Sequence, residues 1–174
     1  MGRDSETVAK EPPMTNTARI RIADQSPTEE LRHEVLRIAA WLQGREISSR
    51  LSNVLEAAFP SGGEQFARIA ELVPEALAQD GHRVDGSTTF LRLAEPGPAS
   101  CGFSIDLVEL EDVRGPRHVH PRGEVDLVVP MPEAGEFNGR GRGWLALRPG
   151  SAHRPTAIGK VAVIYFLPGG EMTF

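Results

Sequence analysis

Two histidines one residue apart and a glutamate four residues further on form the most chemically loaded stretch of the chain, Arg117-His118-Val119-His120-Pro121-Arg122-Gly123-Glu124-Val125-Asp126. On an extended strand, residues two apart point to the same face. His118 and His120 therefore aim together. Glu124 shares their parity, and Pro121-Arg122-Gly123 supplies the bend that can return it toward them. Two imidazoles and a carboxylate on one face make a donor set for a first-row transition metal. A fourth donor, His153, follows the turn Pro149-Gly150 in Arg148-Pro149-Gly150-Ser151-Ala152-His153, which can set an imidazole opposite the first three. The plain alternative is a polar cluster on a sheet surface. His33 and His82 have no such company and read as ordinary surface histidines.

These residues need strands to hold them, and the pattern after residue 81 provides them. Short apolar segments alternate with glycine and proline turns: Thr88–Leu93, Gly102–Leu110, Arg117–His120, Glu124–Val129, Gly143–Leu147, Val161–Leu167 and Met172–Phe174. Such spacing predicts a β-sandwich or barrel. The preceding region is helical. Ser26 can cap a helix, Pro27 suits its first position, and Glu29 stands three after the cap. Leu31, Val35, Ile38 and Leu42 follow at helical spacing, and that stripe must bury against the barrel or a second subunit. A second helix is expected over 47–58. A third carries Phe66, Ile69, Ala70 and Val73, with Pro74 starting or kinking a last short one. The expected organisation is a flexible leader over 1–24, a helical segment over 25–80 and a β-barrel over 81–174.

Composition narrows the function classes. The 174 residues carry a net charge of −5, which argues against nucleic acid as a partner. The apolar stretches around 125–131 and 161–167 are too short to span a bilayer. The N-terminus reads as polar, without a secretory core. Cys101 is the only cysteine, so a disulfide framework or cysteine-based zinc cluster is excluded. A reducing, cytoplasmic setting is expected.

The His-x-His-x-x-x-Glu and Gly-x-x-His stretches resemble the two metal-ligand motifs of the cupin superfamily. Met131, Gly115 and Ala157 depart from the family pattern at turn-shaping positions that bind no metal. A closer resemblance is to the 4-hydroxylaminobenzoate lyase family, small cupins of bacterial nitroaromatic degradation. It rests on His-Pro-Arg-Gly-Glu-Val-Asp-Leu-Val-Val-Pro (120–130), Pro-Gly-Ser-Ala-His-Arg-Pro-Thr (149–156) and Tyr-Phe-Leu-Pro-Gly-Gly (165–170). The resemblance implies a mainly β fold, a cupin (double-stranded β-helix, or jelly-roll) barrel behind an N-terminal α-helical segment. It implies one divalent transition metal on His118, His120, Glu124 and His153, with iron, manganese, nickel, copper and zinc all compatible with the donors. It also implies a lyase reaction, 4-hydroxylaminobenzoate to 3,4-dihydroxybenzoate with release of ammonia.

That chemistry needs an acid, a base and a cation for the substrate carboxylate. Asp126 shares the parity of Glu124 and is the first candidate acid or base. Tyr165, the only tyrosine, is the second. Arg117 and Arg154 neighbour proposed ligands and can anchor a small aromatic acid, and Trp144 can wall its ring. Cys101 has no base beside it and receives no role. The expected assembly is a homodimer. The other readings are a cupin dioxygenase acting on an aromatic or thiol substrate, and a non-catalytic small-ligand-binding cupin.

Overall fold

A computed structural model of the chain describes residues 25–132 and 134–174. The leader expected over 1–24 lies outside the described residues. Three helices come first, α1 (Pro27–Leu42), α2 (Leu51–Ala58) and α3 (Glu64–Asp80). Ten strands follow: β1 (His82–Arg83), β2 (Thr88–Ala94), β3 (Phe103–Glu111), β4 (His118–His120), β5 (Glu124–Pro130), β6 (Glu136–Phe137), β7 (Gly143–Leu147), β8 (Ser151–His153), β9 (Ala157–Ile158) and β10 (Lys160–Pro168). Six of them form one sheet in the order β1-β2-β3-β10-β5-β7, all antiparallel. The pairs β4-β8 and β6-β9 form two small sheets. The architecture is an antiparallel β-barrel with an N-terminal helical segment, as the sequence pattern predicts.

The start of α1 follows its sequence signals. The Ser26 hydroxyl accepts a hydrogen bond from the Glu29 backbone N–H at 3.2 Å, and Pro27 opens the helix. This satisfies an otherwise orphaned donor of the first turn. The stripe Leu31, Val35, Ile38 and Leu42 is fully buried within the chain. It packs with Phe66, Ile69 and Val73 of α3 and with the sheet residues Leu107, Leu127 and Ile164. Of the two burial partners the sequence allowed, the chain's own barrel takes this stripe.

Two helix expectations are corrected. The second helix begins at Leu51, not residue 47. Ile47 instead precedes the helix and sits buried beside the Gly123 turn. Pro74 lies inside the unbroken α3. The buried face of Phe66, Ile69, Leu72, Val73, Ala76 and Leu77 outweighs the backbone bond that proline removes. Met172–Phe174 forms no strand of its own; Thr173 bridges to Val119, and the Phe174 ring lies edge-on to His118 at 5.8 Å. Among the described residues, no helix is long and apolar enough to cross a membrane.

The six-stranded sheet has two unlike faces. Leu91, Leu107, Ile164, Leu127 and Trp144 occupy matched positions on neighbouring strands and face the helices. Trp144 is buried there, its indole N–H donating to the Phe59 carbonyl at 2.9 Å. It lies opposite in register to Leu127, not Asp126, so it belongs to the helix-side core. The expectation that it walls a substrate pocket is corrected. Trp144→Ala is expected to cost about 3–5 kcal/mol of stability. Denaturant titration reads that loss, while metal content per folded molecule stays unchanged.

Candidate metal centre

The other face of the sheet looks into the barrel, and Glu124, Asp126 and Val128 of β5 point that way. β4 and β8 run antiparallel across the interior, with His118 opposite His153 and His120 opposite Ser151. Two turns fix this arrangement. Gly123 adopts φ +85°, and a Cβ there would meet the Leu147 carbonyl oxygen at 2.8 Å. Only glycine fits a left-handed turn this tightly packed. Its N–H donates to the His120 carbonyl at 3.2 Å, folding β5 back under β4. The Gly150 N–H donates to that same carbonyl at 2.8 Å, which docks the start of β8.

The result is a cluster of four donors. The Nε2 atoms of His118 and His120 are 2.8 Å apart, and Nε2 of His153 lies 3.1 Å from each. Glu124 brings Oε2 to 2.7 Å from Nε2 of His120 and Oε1 to 3.6 Å from Nε2 of His153. His118, His120 and Glu124 are buried, and His153 is partly so. Buried Oε1 of Glu124 and Nδ1 of His120 find no hydrogen-bond partner among the described residues. Lone pairs packed against lone pairs away from water are unfavourable unless a proton or a cation lies between them.

The donors fit a metal. At about 2.1 Å from an ion, imidazole nitrogens set at right angles stand about 3.0 Å apart. The three imidazole separations match that spacing, and the set of three nitrogens and one carboxylate is one that first-row ions accept. Burial lowers the pKa of His118, with the neighbouring His120 adding to the effect and Glu124 opposing it. Burial also lowers that of His153, against the pull of Glu124. Both rings are therefore neutral, as ligation requires. Protons begin to displace metal only below the ordinary imidazole value of about 6.5. Apparent metal affinity is expected to stay flat from neutral pH to below that value and then fall. Metal titration in a pH series checks this.

Asn138 was not legible in the sequence. It adopts φ +48° and sets its side-chain amide 2.8 Å from Nδ1 of His153, while its Oδ1 accepts the Thr156 N–H at 3.0 Å. This contact at Nδ1 orients the His153 ring so that Nε2 faces the cluster. An asparagine before a glycine reads as a turn, and that ordinary reading hides the contact.

Asp126 is wholly buried beside Glu124, and neither of its oxygens has a donor among the described residues. Burial, then the charge of Glu124, raises its pKa well above the carboxylate range. Tyr165 stands opposite Asp126 in register, with its ring edge-on to Phe137 at 5.7 Å. Burial and the carboxylates of Asp126, Glu124 and Asp106 push its hydroxyl upward, so it keeps its proton. Arg117 and Arg154 stand elsewhere. Both are exposed and lie just outside the strands, Arg117 before β4 and Arg154 after β8. Arg154 donates to the Gly115 carbonyl at 3.4 Å.

The chain is similar to known proteins. Residues 33–174 match the family model described as PnbB, 4-hydroxylaminobenzoate lyase. The 4-hydroxylaminobenzoate lyase of Nocardioides sp. (strain LMS-CY) is 35% identical over 146 residues, covering 76% of this chain and 86% of that protein. That of Pseudomonas putida is 27% identical over 155 residues, covering 78% and 88%. Among solved structures, an RmlC-like cupin from Shewanella frigidimarina NCIMB 400 aligns with a TM-score of 0.40 and 14% identity, over 53% of this chain and 86% of that one. The family match spans the barrel, both histidine-bearing stretches and most of the helical segment, and on that match the chain belongs to the 4-hydroxylaminobenzoate lyase family.

Proposed function

We propose that this protein is a metal-dependent lyase converting 4-hydroxylaminobenzoate to 3,4-dihydroxybenzoate and ammonia. The observation that carries the reading is the convergence of three imidazoles and Glu124 beside Asp126 and Tyr165, in a chain of this family. Atom balance adds one water to the substrate and releases one ammonia. The change needs no external oxidant or reductant. His118, His120, Glu124 and His153 would hold one divalent transition metal. When bound, that ion supplies Lewis acidity toward the hydroxylamine oxygen or a water.

The chain's own groups supply the protons. Asp126 keeps its proton at a carboxyl oxygen next to Glu124 and would donate it to a leaving group. Tyr165 holds a second proton on the adjoining strand. The apolar end of the interior is closed by Phe137, Val128, Val161 and Val163, which keeps bulk water from that side.

The test is an anaerobic incubation of the metal-loaded protein with 4-hydroxylaminobenzoate. Equal amounts of ammonia and 3,4-dihydroxybenzoate are expected, with at least one oxygen from labelled water in the product. Turnover that stops without oxygen would replace this reading with a dioxygenase. Binding without turnover would replace it with a ligand-binding cupin.

A further inference from the structure

The barrel-facing side of the sheet carries one polar row that crosses four strands. Arg92 of β2 stands opposite Asp106 of β3, Asp106 opposite Tyr165 of β10, and Tyr165 opposite Asp126 of β5. Residues opposite in register share a face. The neighbours Leu91 and Leu93 point into the helix-side core, which confirms that Arg92 looks the other way. It is the only arginine or lysine that the described strands place on this face.

Its guanidinium is held from two sides. Nε donates to Asp106, a residue only 6% exposed, and Nη1 donates to Glu95 at 2.6 Å. The Phe90 ring lies 5.8 Å beneath it. Nη2 has no partner among the described residues, and the side chain is 39% exposed. Glu95 is 76% exposed, so the outer edge of the guanidinium already accepts a carboxylate that solvent can replace.

We infer that Arg92 is the anchor for the carboxylate of an aromatic acid substrate. This rests on the proposed reaction. The substrate is para-substituted, so its carboxylate points away from the reacting nitrogen by the length of the ring. Its anchor must therefore lie across the interior from the imidazole cluster. Arg92 is three strand spacings of about 4.8 Å from Asp126 along the row, and the barrel's curvature turns both ends inward. Tyr165 and Asp126 then lie along the path from anchor to cluster. The substrate carboxylate takes the Nη2 edge, or the edge that Glu95 gives up, with the planar fork suited to it.

Binding by the metal-loaded protein tests this without turnover. The probes are 3,4-dihydroxybenzoate and catechol, which differ only in the carboxylate, so any contribution of the ring hydroxyls cancels. The wild type is expected to bind the acid at least ten-fold more tightly. Arg92→Gln should bring the two within about three-fold by weakening the acid alone. The double variant Arg92→Gln/Asp106→Asn should do the same without leaving Asp106 unpaired. Glu95→Gln, on an exposed side chain, should tighten the acid and leave catechol unchanged. Glu171→Gln, the same charge change beside Arg122, should alter neither. A preference that survives in the Arg92 variants, or an acid affinity unmoved by Glu95→Gln, overturns the inference. So does a parallel loss of catechol, which would mark Arg92 as structural. Equal wild-type binding of both probes rejects the anchor alone. Binding of neither rejects the proposed reaction and the anchor together.

Discussion

His120→Ala is expected to remove metal and turnover together. The ring is the hub of the cluster, since its Nε2 lies 2.8 Å from His118, 3.1 Å from His153 and 2.7 Å from Glu124. Removing it takes away the donor that makes the shortest contacts of the set and leaves three. The expected loss in kcat/KM is on the order of 10³-fold or more, equivalent to about 4 kcal/mol of transition-state stabilisation. Elemental analysis should find the variant empty. A thermal series with added metal gives an independent reading. Metal at a hundred times its Kd stabilises a folded protein by about 2.7 kcal/mol, so the wild-type Tm should rise and that of the variant should not. The variant should fold, because the substitution also relieves the close approach of unprotonated nitrogens. Full activity in metal-free H120A would reject the mechanism.

Asp126→Asn separates activity from stability. Asparagine keeps the shape of the side chain and cannot act as an acid or base. Loss of a positioned general acid lowers kcat by about 10²–10⁴-fold. Stability should respond in the opposite sense. The folded state holds the Asp126 proton more tightly than the unfolded chain, whose carboxyl titrates near 3.9. As pH rises from about 3.9 to the raised pKa, the unfolded chain gives up a proton that the folded chain keeps. The group therefore takes stability from the fold across that window, and the penalty is complete above it. D126N lacks the penalty, so its stability relative to wild type should grow as pH rises through the window. Urea titrations at several pH values read this. A variant that loses activity and stability equally at every pH would make Asp126 a packing residue.

The two carboxyls at 124 and 126 thus do different work on one strand face. Glu124 touches two imidazoles, whereas Asp126, two residues on, meets no donor among the described residues. Each environment follows from which strand lies opposite. Glu124 sits under β4 and β8, while Asp126 is aligned with Tyr165 of β10.

That contrast marks what could be read from the sequence. Part of the candidate metal site was legible because alternation along a strand is local: two-residue spacing puts His118 with His120 and Glu124 with Asp126, whatever the rest of the chain does, whereas His153 joins them through the β4–β8 pairing. The Ser26 cap and the apolar stripe of α1 were legible for the same reason, since both are set within a turn or two of helix. Sequence neighbourhood singled out Arg117 and Arg154, and the structure leaves both exposed just outside β4 and β8. Trp144 misled differently. Its parity is plain within β7, but its face relative to Asp126 depends on the β5–β7 register, which pairing alone sets. Arg92 and Asn138 are tied to Asp106 and His153 by pairing and loop packing across 14 and 15 residues. The sequence by itself determined which neighbouring side chains share a strand face, because that follows from local periodicity. Only the tertiary structure decided what surrounds them, because strand order and register follow from burying one continuous core, to which distant segments contribute together.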